Sequence, residues 1–248
     1  DLVDPEQMAR LNLVDPRPQY EVADTDWGTM YGAYRPANDS QTYWRVAQFL
    51  FPFWTMPPDG DFEYHVVARA WVPMDDEHTM FVHLSWTGNK QGLRADKDGN
   101  PLPGINMGME FQPNTTDWHG RWRLKANETN DYMIDRHAQR NGGNYSGITG
   151  IHLQDQAITE SMGAITDHGL EHLMPSDHMI SQTRKRLIRA AREFKKDGTL
   201  PPGIDDPEIC LRARAGDFLA SNNLDWRQAY NDVMKASVDP TGRLRAAE

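Results

Sequence analysis

The chain has 248 residues, of which 25% are charged and 38% hydrophobic, and its formal net charge is -10. This balance is typical of a globular protein with one large or two small domains, and it argues against nucleic-acid binding, which needs a basic surface. No run of about 18 apolar residues is present, which argues against a membrane span. The single cysteine, Cys210, excludes an internal disulfide or a cysteine-ligated cluster and favours a cytoplasmic protein.

Residues 1–20 are rich in proline and aspartate, and we predict that they form a connecting segment without a core of its own. The chain begins at Asp1 with neither an initiator methionine nor the features of a signal peptide. We therefore expect it to come from inside a longer protein. Residues 21–240 are predicted to form the folded domain.

Three segments have the composition of β-strands. Residues 43–50 are rich in aromatic and β-branched side chains, residues 62–72 alternate between two faces, and residues 78–86 follow after a short turn. This spacing predicts an antiparallel meander. Residues 87–120 contain many Gly, Asn, Asp and Pro residues and are predicted to form a long loop.

Helical patterns dominate from about residue 152. Ser176 is a candidate cap for a helix whose apolar positions recur at three- and four-residue steps, and Gly198 is expected to end it. A last helix is predicted over residues 225–235. Strands first and helices later predict an α+β domain, with an antiparallel sheet and helices packed on one face.

One carboxylate stands out within residues 154–165. If this segment is a helix, Asp155 shares an apolar stripe with Ile158, Met162 and Ile165. Burying a carboxylate there is costly unless it is paired, hydrogen-bonded or bound to a metal. The alternative is that Asp155 caps the start of the helix, where Asp is favoured.

Other polar residues carry weaker signals. The chain has nine histidines, and they form no strong metal-binding motif. They are His65, His78, His83, His119, His137, His152, His168, His172 and His178. His152 with Asp155, and His168 with His172, have helical spacing. Arg45 lies mid-strand on the face of Tyr43, Ala47 and Phe49, where it could bind a carboxylate or form an internal ion pair. The basic residues between 184 and 196 are interpreted as a solvated helix face rather than a polyanion site.

Several blocks resemble the phthalate 4,5-dioxygenase group of Rieske non-haem iron oxygenases, in the order in which that group has them. They are Tyr31-Gly32-Ala33-Tyr34-Arg35, Tyr43-Trp44-Arg45-Val46-Ala47-Gln48-Phe49, Pro52-Phe53-Trp54-Thr55-Met56-Pro57-Pro58, Ala70-Trp71-Val72-Pro73-Met74-Asp75-Asp76-Glu77-His78, Asn130-Asp131-Tyr132-Met133-Ile134-Asp135-Arg136 and Tyr145-Ser146-Gly147-Ile148. The most specific block is Gln154-Asp155-Gln156-Ala157 with Glu160-Ser161-Met162-Gly163, followed by Glu171-His172-Leu173 and Ser176-Asp177.

The resemblance implies a catalytic domain of the helix-grip type (TBP-like or Bet v1-like), covering residues 21–240. Such a domain binds a mononuclear Fe(2+) through two His and one Asp, and the Asp maps onto Asp155. It further implies hydroxylation or O-demethylation of an aromatic acid with dioxygen, in the catabolism of aromatic compounds. Electrons would come from a reductase component through a [2Fe-2S] Rieske cluster, in a homotrimer.

The chain departs from the family pattern where the ligands are concerned. The Rieske ligands are absent, and the two iron-binding histidines of the family lie upstream of a segment like residues 1–20. We therefore expect the Rieske domain to be absent from this chain and the chain alone to be inactive. The alternative is a non-enzymatic helix-grip carrier that binds a hydrophobic ligand between sheet and helix. The sequence upstream of Asp1 would distinguish the two.

Overall fold

The computed structural model describes residues 11, 15–58, 62, 65–87 and 108–237. Most of the predicted connecting segment and residues 88–107 of the predicted long loop lie outside these described residues. The chain divides into two compact units. The first comprises Asp1–Asp75, Thr79–Leu93 and His172–Glu248, and the second comprises Asp76–His78 and Arg94–Glu171.

The first unit is built on an antiparallel sheet, which has seven strands in the described part of the chain. The strands are β1 (Gln19–Asp24), β2 (Gly28–Pro36), β3 (Gln41–Leu50), β4 (Trp54–Met56), β5 (His65–Pro73), β6 (Thr79–Thr87) and β7 (Gly216–Ser221). They follow one another in space from β1 to β6, and β7 pairs with β3. The predicted meander is confirmed, since β5 and β6 pair along their whole length.

Strand β7 was not predicted from the sequence. It joins the sheet after the long helix and pairs Val46 of β3 with Gly216, and Gln41 with Ser221. The strand places a charged residue, Asp217, at a buried position that is only 1% exposed. The alternation of polar and apolar residues therefore does not mark this segment as a strand. The predicted order of strands first and helices later therefore has one exception, because β7 follows the long helix in the sequence and pairs with β3.

Two helices accompany this sheet, α3 (His178–Asp197) and α4 (Trp226–Ser237), with 3-10 turns at Pro175–Asp177 and Pro207–Arg212. On α4, the Trp226 ring stacks on Trp44 of β3 with centroids 5.5 Å apart. Gly32 makes room for this stack, because a Cβ there would lie 2.7 Å from the Trp44 ring. Helix α3 packs against β2. The predicted α+β, helix-grip architecture is confirmed.

Two predicted helix boundaries can be compared with the structure. Gly198 ends α3 in the left-handed conformation, with φ of 78°, as predicted. The prediction that Ser176 caps this helix is wrong, because Ser176 lies inside the 3-10 turn and Asp177 holds the cap position without a side-chain hydrogen bond. The helix therefore begins at His178, one residue later than a cap at Ser176 would place it.

The second unit contains two short α-helices, α1 (Arg136–Arg140) and α2 (Ile151–Glu160). It also contains 3-10 turns at Glu128–Met133 and His168–Leu170. Its remaining described residues are irregular, apart from a bridge between Phe111 and Leu124. Among the helices of the described residues, none is both long and apolar enough to cross a membrane.

Candidate functional site

Asp155 lies in the middle of α2. It is exposed, and so is Ile158, whose side chain is 68% exposed. Within the described residues, the Asp155 carboxylate has no hydrogen-bond or ion-pair partner. The alternative role as a helix cap is wrong, because Gly150 occupies the N-cap position with φ of 103°.

The premise that Asp155 lies on a buried stripe is also wrong. Helix α2 buries none of its residues, and it ends at Glu160, before Met162 and Ile165. Gly163, with φ of 90°, then turns the chain out of helical geometry.

Three of the family blocks, which are separate in the sequence, meet in the second unit. The backbone N–H of Asp135 donates to Gly147 O over 2.8 Å, and Gln154 Nε2 donates to Ile148 O over 3.0 Å. These two bonds connect the three blocks at 130–136, 145–148 and 154–157. Asp155 therefore projects from a platform that the blocks build together.

The first of these blocks contains an unusual backbone. Asp131, Tyr132 and Met133 all have left-handed φ values between 52° and 55°, which L-residues adopt at a cost of roughly 1–2 kcal/mol each. The turn is held by hydrogen bonds between Asn127 and Asn130 and by an ion pair from Arg136 to Asp131. Burial, together with the nearby Glu160 carboxylate, raises the pKa of Tyr132 to about 12.

The described histidines do not complete a metal site with Asp155. Among the residues that the structure describes, no group of three His, Cys, Asp or Glu side chains with metal-ligating geometry includes Asp155. His168 lies in a 3-10 turn, where its Nδ1 is 3.1 Å from Glu171. His78 and His119, both in the second unit, stack with ring centroids 4.0 Å apart.

Arg45 lies in the first unit at the centre of the sheet. As predicted, it shares a face of β3 with Tyr43 and Phe49, and its register partners are Ala33 on β2 and Asp217 on β7. The side chain is half-buried, and Nη2 donates to Pro58 O over 2.6 Å. Its Nε is buried without a hydrogen-bond partner among the described residues, so the guanidinium retains a donor for a further acceptor.

Buried polar groups surround Arg45 and define a polar row of Arg35, Tyr43, Arg45 and Asp217. Tyr43 Oη donates to Asp217 Oδ2 over 2.8 Å. Burial and the Asp217 carboxylate raise the pKa of Tyr43 well above its usual range. Sequence reasoning missed Asp217, because it lies on the unpredicted strand β7. A buried acid opposite Arg45 keeps the structural alternative for Arg45 open.

The basic residues of α3 differ in how far they are exposed. The Arg186 side chain is 15% exposed and 3.4 Å from Asp24, and it donates to Thr25 O. The other basic residues toward the end of the helix are exposed, namely Lys185, Arg189, Arg192, Lys195 and Lys196. This distribution agrees with the interpretation as a solvated helix face.

Comparison with known proteins identifies relatives along nearly the whole chain. Residues 9–243 match the family described as LigXa C-terminal domain like. The 3-chlorobenzoate-3,4-dioxygenase oxygenase subunit of Comamonas testosteroni is 48% identical over 225 residues, which is 89% of this chain and 52% of that protein. The phthalate 4,5-dioxygenase oxygenase subunit of Pseudomonas putida is 29% identical over 216 residues, which is 86% of this chain and 46% of that protein. The chain thus spans about half the length of these relatives.

Proposed function

We propose, since this chain belongs to the LigXa C-terminal domain like family, that it is the catalytic-domain portion of a Rieske-type oxygenase. The intact enzyme would hydroxylate or O-demethylate an aromatic acid with dioxygen at a mononuclear non-haem iron. The 48% identity to an aromatic-ring dioxygenase oxygenase subunit is the observation that carries this proposal. The relatives give no support to the alternative of a non-enzymatic carrier, because both are oxygenase subunits.

Asp155 is proposed as the carboxylate ligand of the iron. Non-haem oxygenases hold iron with two His and one carboxylate, which leaves coordination positions open for dioxygen. An exposed carboxylate with no partner among the described residues has the chemistry of such a ligand. The two histidines would come from the part of the relatives' length that precedes this chain. Bound there, iron would supply the oxygen-activating chemistry.

Arg45 is proposed as the group that binds the substrate carboxylate. Both relatives are named for substrates with aromatic carboxylates, 3-chlorobenzoate and phthalate. The guanidinium of Arg45 lies beside the aromatic rings of its strand face and has a buried Nε without an acceptor in the described part of the chain. A guanidinium binds a carboxylate through two parallel hydrogen bonds.

The remaining partners follow from the same proposal. A [2Fe-2S] Rieske cluster would lie in the upstream half, a reductase component would supply electrons, and the intact enzyme would be a cytoplasmic homotrimer. Residues 1–20 would connect the two halves. Since this chain has one cysteine, it cannot hold the cluster itself.

The test of the metal role is Asp155→Ala in the full-length protein. We expect this variant to keep the absorbance of the iron–sulfur cluster and to lose the mononuclear iron, as measured by metal analysis. Glu160→Ala is the matched control, because Glu160 is an exposed carboxylate on the same helix but about 140° away around its axis. A full complement of mononuclear iron in Asp155→Ala would show that Asp155 is not the ligand.

The test of the substrate role is Arg45→Gln, compared on a carboxylated substrate and an uncharged analogue. Charge-assisted hydrogen bonds contribute roughly 1.5–3 kcal/mol each, so KM for the carboxylated substrate should rise about tenfold or more, and the analogue should be little affected. If Arg45 instead balances the buried Asp217, the variant should lose thermal stability and treat both compounds alike. Equal losses with a lowered Tm would rule out the substrate role.

A further inference from the structure

Helix α2 is anchored only in part by burial. Six of its ten residues are half-buried and none is fully buried, and its N-cap, Gly150, provides no side-chain hydrogen bond. In most short helices, packing of an apolar face determines how the helix is rotated about its axis. Because α2 has no fully buried residue, side-chain contacts such as that of Glu160 with Tyr132 add to this packing, and one further contact involves Gln154.

This contact is one of three hydrogen bonds to a single backbone carbonyl, that of Ile148. Ile148 O accepts three hydrogen bonds, from Asn144 Nδ2 at 3.1 Å, Ser146 Oγ at 3.1 Å and Gln154 Nε2 at 3.0 Å. Ile148 itself is only 7% exposed. Asn144 and Ser146 belong to the loop of residues 141–150, which joins α1 to α2. Gln154 belongs to α2. The side chain of Gln154 therefore ties the first turn of the helix to the loop.

The loop is itself held firmly by its neighbours. Gly147 O accepts the backbone N–H of Asp135 over 2.8 Å. Gly147 has φ of 73°, and a Cβ there would lie 2.7 Å from Asp135 O, so only glycine fits without displacement. Asp135 in turn caps α1 through the backbone N–H groups of His137 and Ala138. The loop that carries the Ile148 carbonyl is therefore fixed against α1.

We infer that Gln154 is a positioning residue that fixes the rotation of α2 and thereby the direction of the Asp155 carboxylate. This inference rests on the proposed role of Asp155 as a metal ligand. Neighbouring residues of an α-helix point about 100° apart, so fixing Gln154 against the loop leaves Asp155 facing outward. Residues that orient metal ligands typically change metal affinity about 10- to 100-fold when they are replaced.

The side chain of Gln154 is suited to this role. Its amide nitrogen donates to a carbonyl that already has two other donors, whereas Glu at this position offers acceptors only. Gln154→Glu thus keeps the size of the side chain and turns an attraction into a repulsion. Gln154→Leu removes the donor without adding charge. Both variants should release α2 from the loop.

The experiment uses the full-length protein with Gln154→Leu, Gln154→Glu and a matched control, Gln156→Leu. Gln156 lies on the other side of Asp155 in the sequence and bonds within the helix, to Glu160 at 2.8 Å. The readouts are ferrous iron affinity by competition with a chelator and the electron paramagnetic resonance spectrum of the nitric oxide adduct of the ferrous protein. We expect both Gln154 variants to bind iron at least about tenfold more weakly and to give altered spectra, and the control to change affinity less than twofold.

The possible results separate this inference from the proposed function. If Asp155→Ala loses iron while Gln154→Leu matches Gln156→Leu in affinity and spectrum, the positioning role is wrong and the metal role stands, even if Gln154→Leu has a lower Tm. If Asp155→Ala keeps its iron, the proposed metal role is wrong and the positioning role falls with it. Weaker binding with an altered spectrum in both Gln154 variants alone supports the inference.

Discussion

Replacing Tyr43 by Phe removes one hydroxyl from the interior of the first unit and leaves the ring in place. The hydroxyl donates to Asp217 over 2.8 Å, and the two residues are 0% and 1% exposed. Hydrogen bonds to charged groups contribute about 1.5–3 kcal/mol, and Tyr43→Phe removes one such bond from the Asp217 carboxylate. Because no cavity forms around the ring, we expect the free energy of unfolding to fall by about 2 kcal/mol.

Urea and thermal unfolding measure this loss. For a protein of this size, 1 kcal/mol corresponds to about 2–4 °C in Tm, so Tyr43→Phe should melt about 4–8 °C lower. Tyr31→Phe is the matched control, because Tyr31 is a half-buried tyrosine whose hydroxyl has no hydrogen bond within the described residues. If the two variants unfold at the same temperature and urea concentration, the Tyr43–Asp217 bond does not stabilise the fold as argued.

Three further predictions concern stability. Trp226→Ala should lower the free energy of unfolding by about 3–5 kcal/mol, whereas Trp118→Ala, at a side chain that is 76% exposed, should change it by less than about 0.5 kcal/mol; urea denaturation measures both. Gly147→Ala should cost at least about 1 kcal/mol, because the new Cβ meets Asp135 O at a positive φ, and should speed amide hydrogen exchange in the second unit. Burial raises the pKa of Tyr230 to about 12, above about 10 in the unfolded chain. Its contribution to stability is therefore complete below about pH 10 and is lost as the pH rises through 12. Absorbance at about 295 nm should show a late tyrosine step, to which Tyr132 also contributes, and this step should be smaller in Tyr230→Phe.

The sequence by itself determined the central strands and the family. Residues 43–50 have the aromatic and β-branched composition of a strand, and residues 62–72 have its period-two pattern. Both contribute to the observed sheet, as β3 and β5. The order of the short blocks pointed to Rieske oxygenases, which the matched family and relatives bear out. It also selected Asp155, which pattern alone did not distinguish from a helix cap. Local signals of this kind depend only on residues near one another in the chain.

Tertiary structure decided the contacts between distant residues. Tyr43 and Asp217 are 174 positions apart, and no local pattern could show that a charged residue near the end of the chain would complete the sheet beside Arg45. The carbonyl of Ile148 has no signature in the sequence either, because backbone groups are the same in every residue, and only the folded chain brings Gln154 to it. Asp155 is exposed for a related reason: periodicity shows that a helix has an apolar stripe, but whether that stripe is covered depends on which other parts of the protein pack against it.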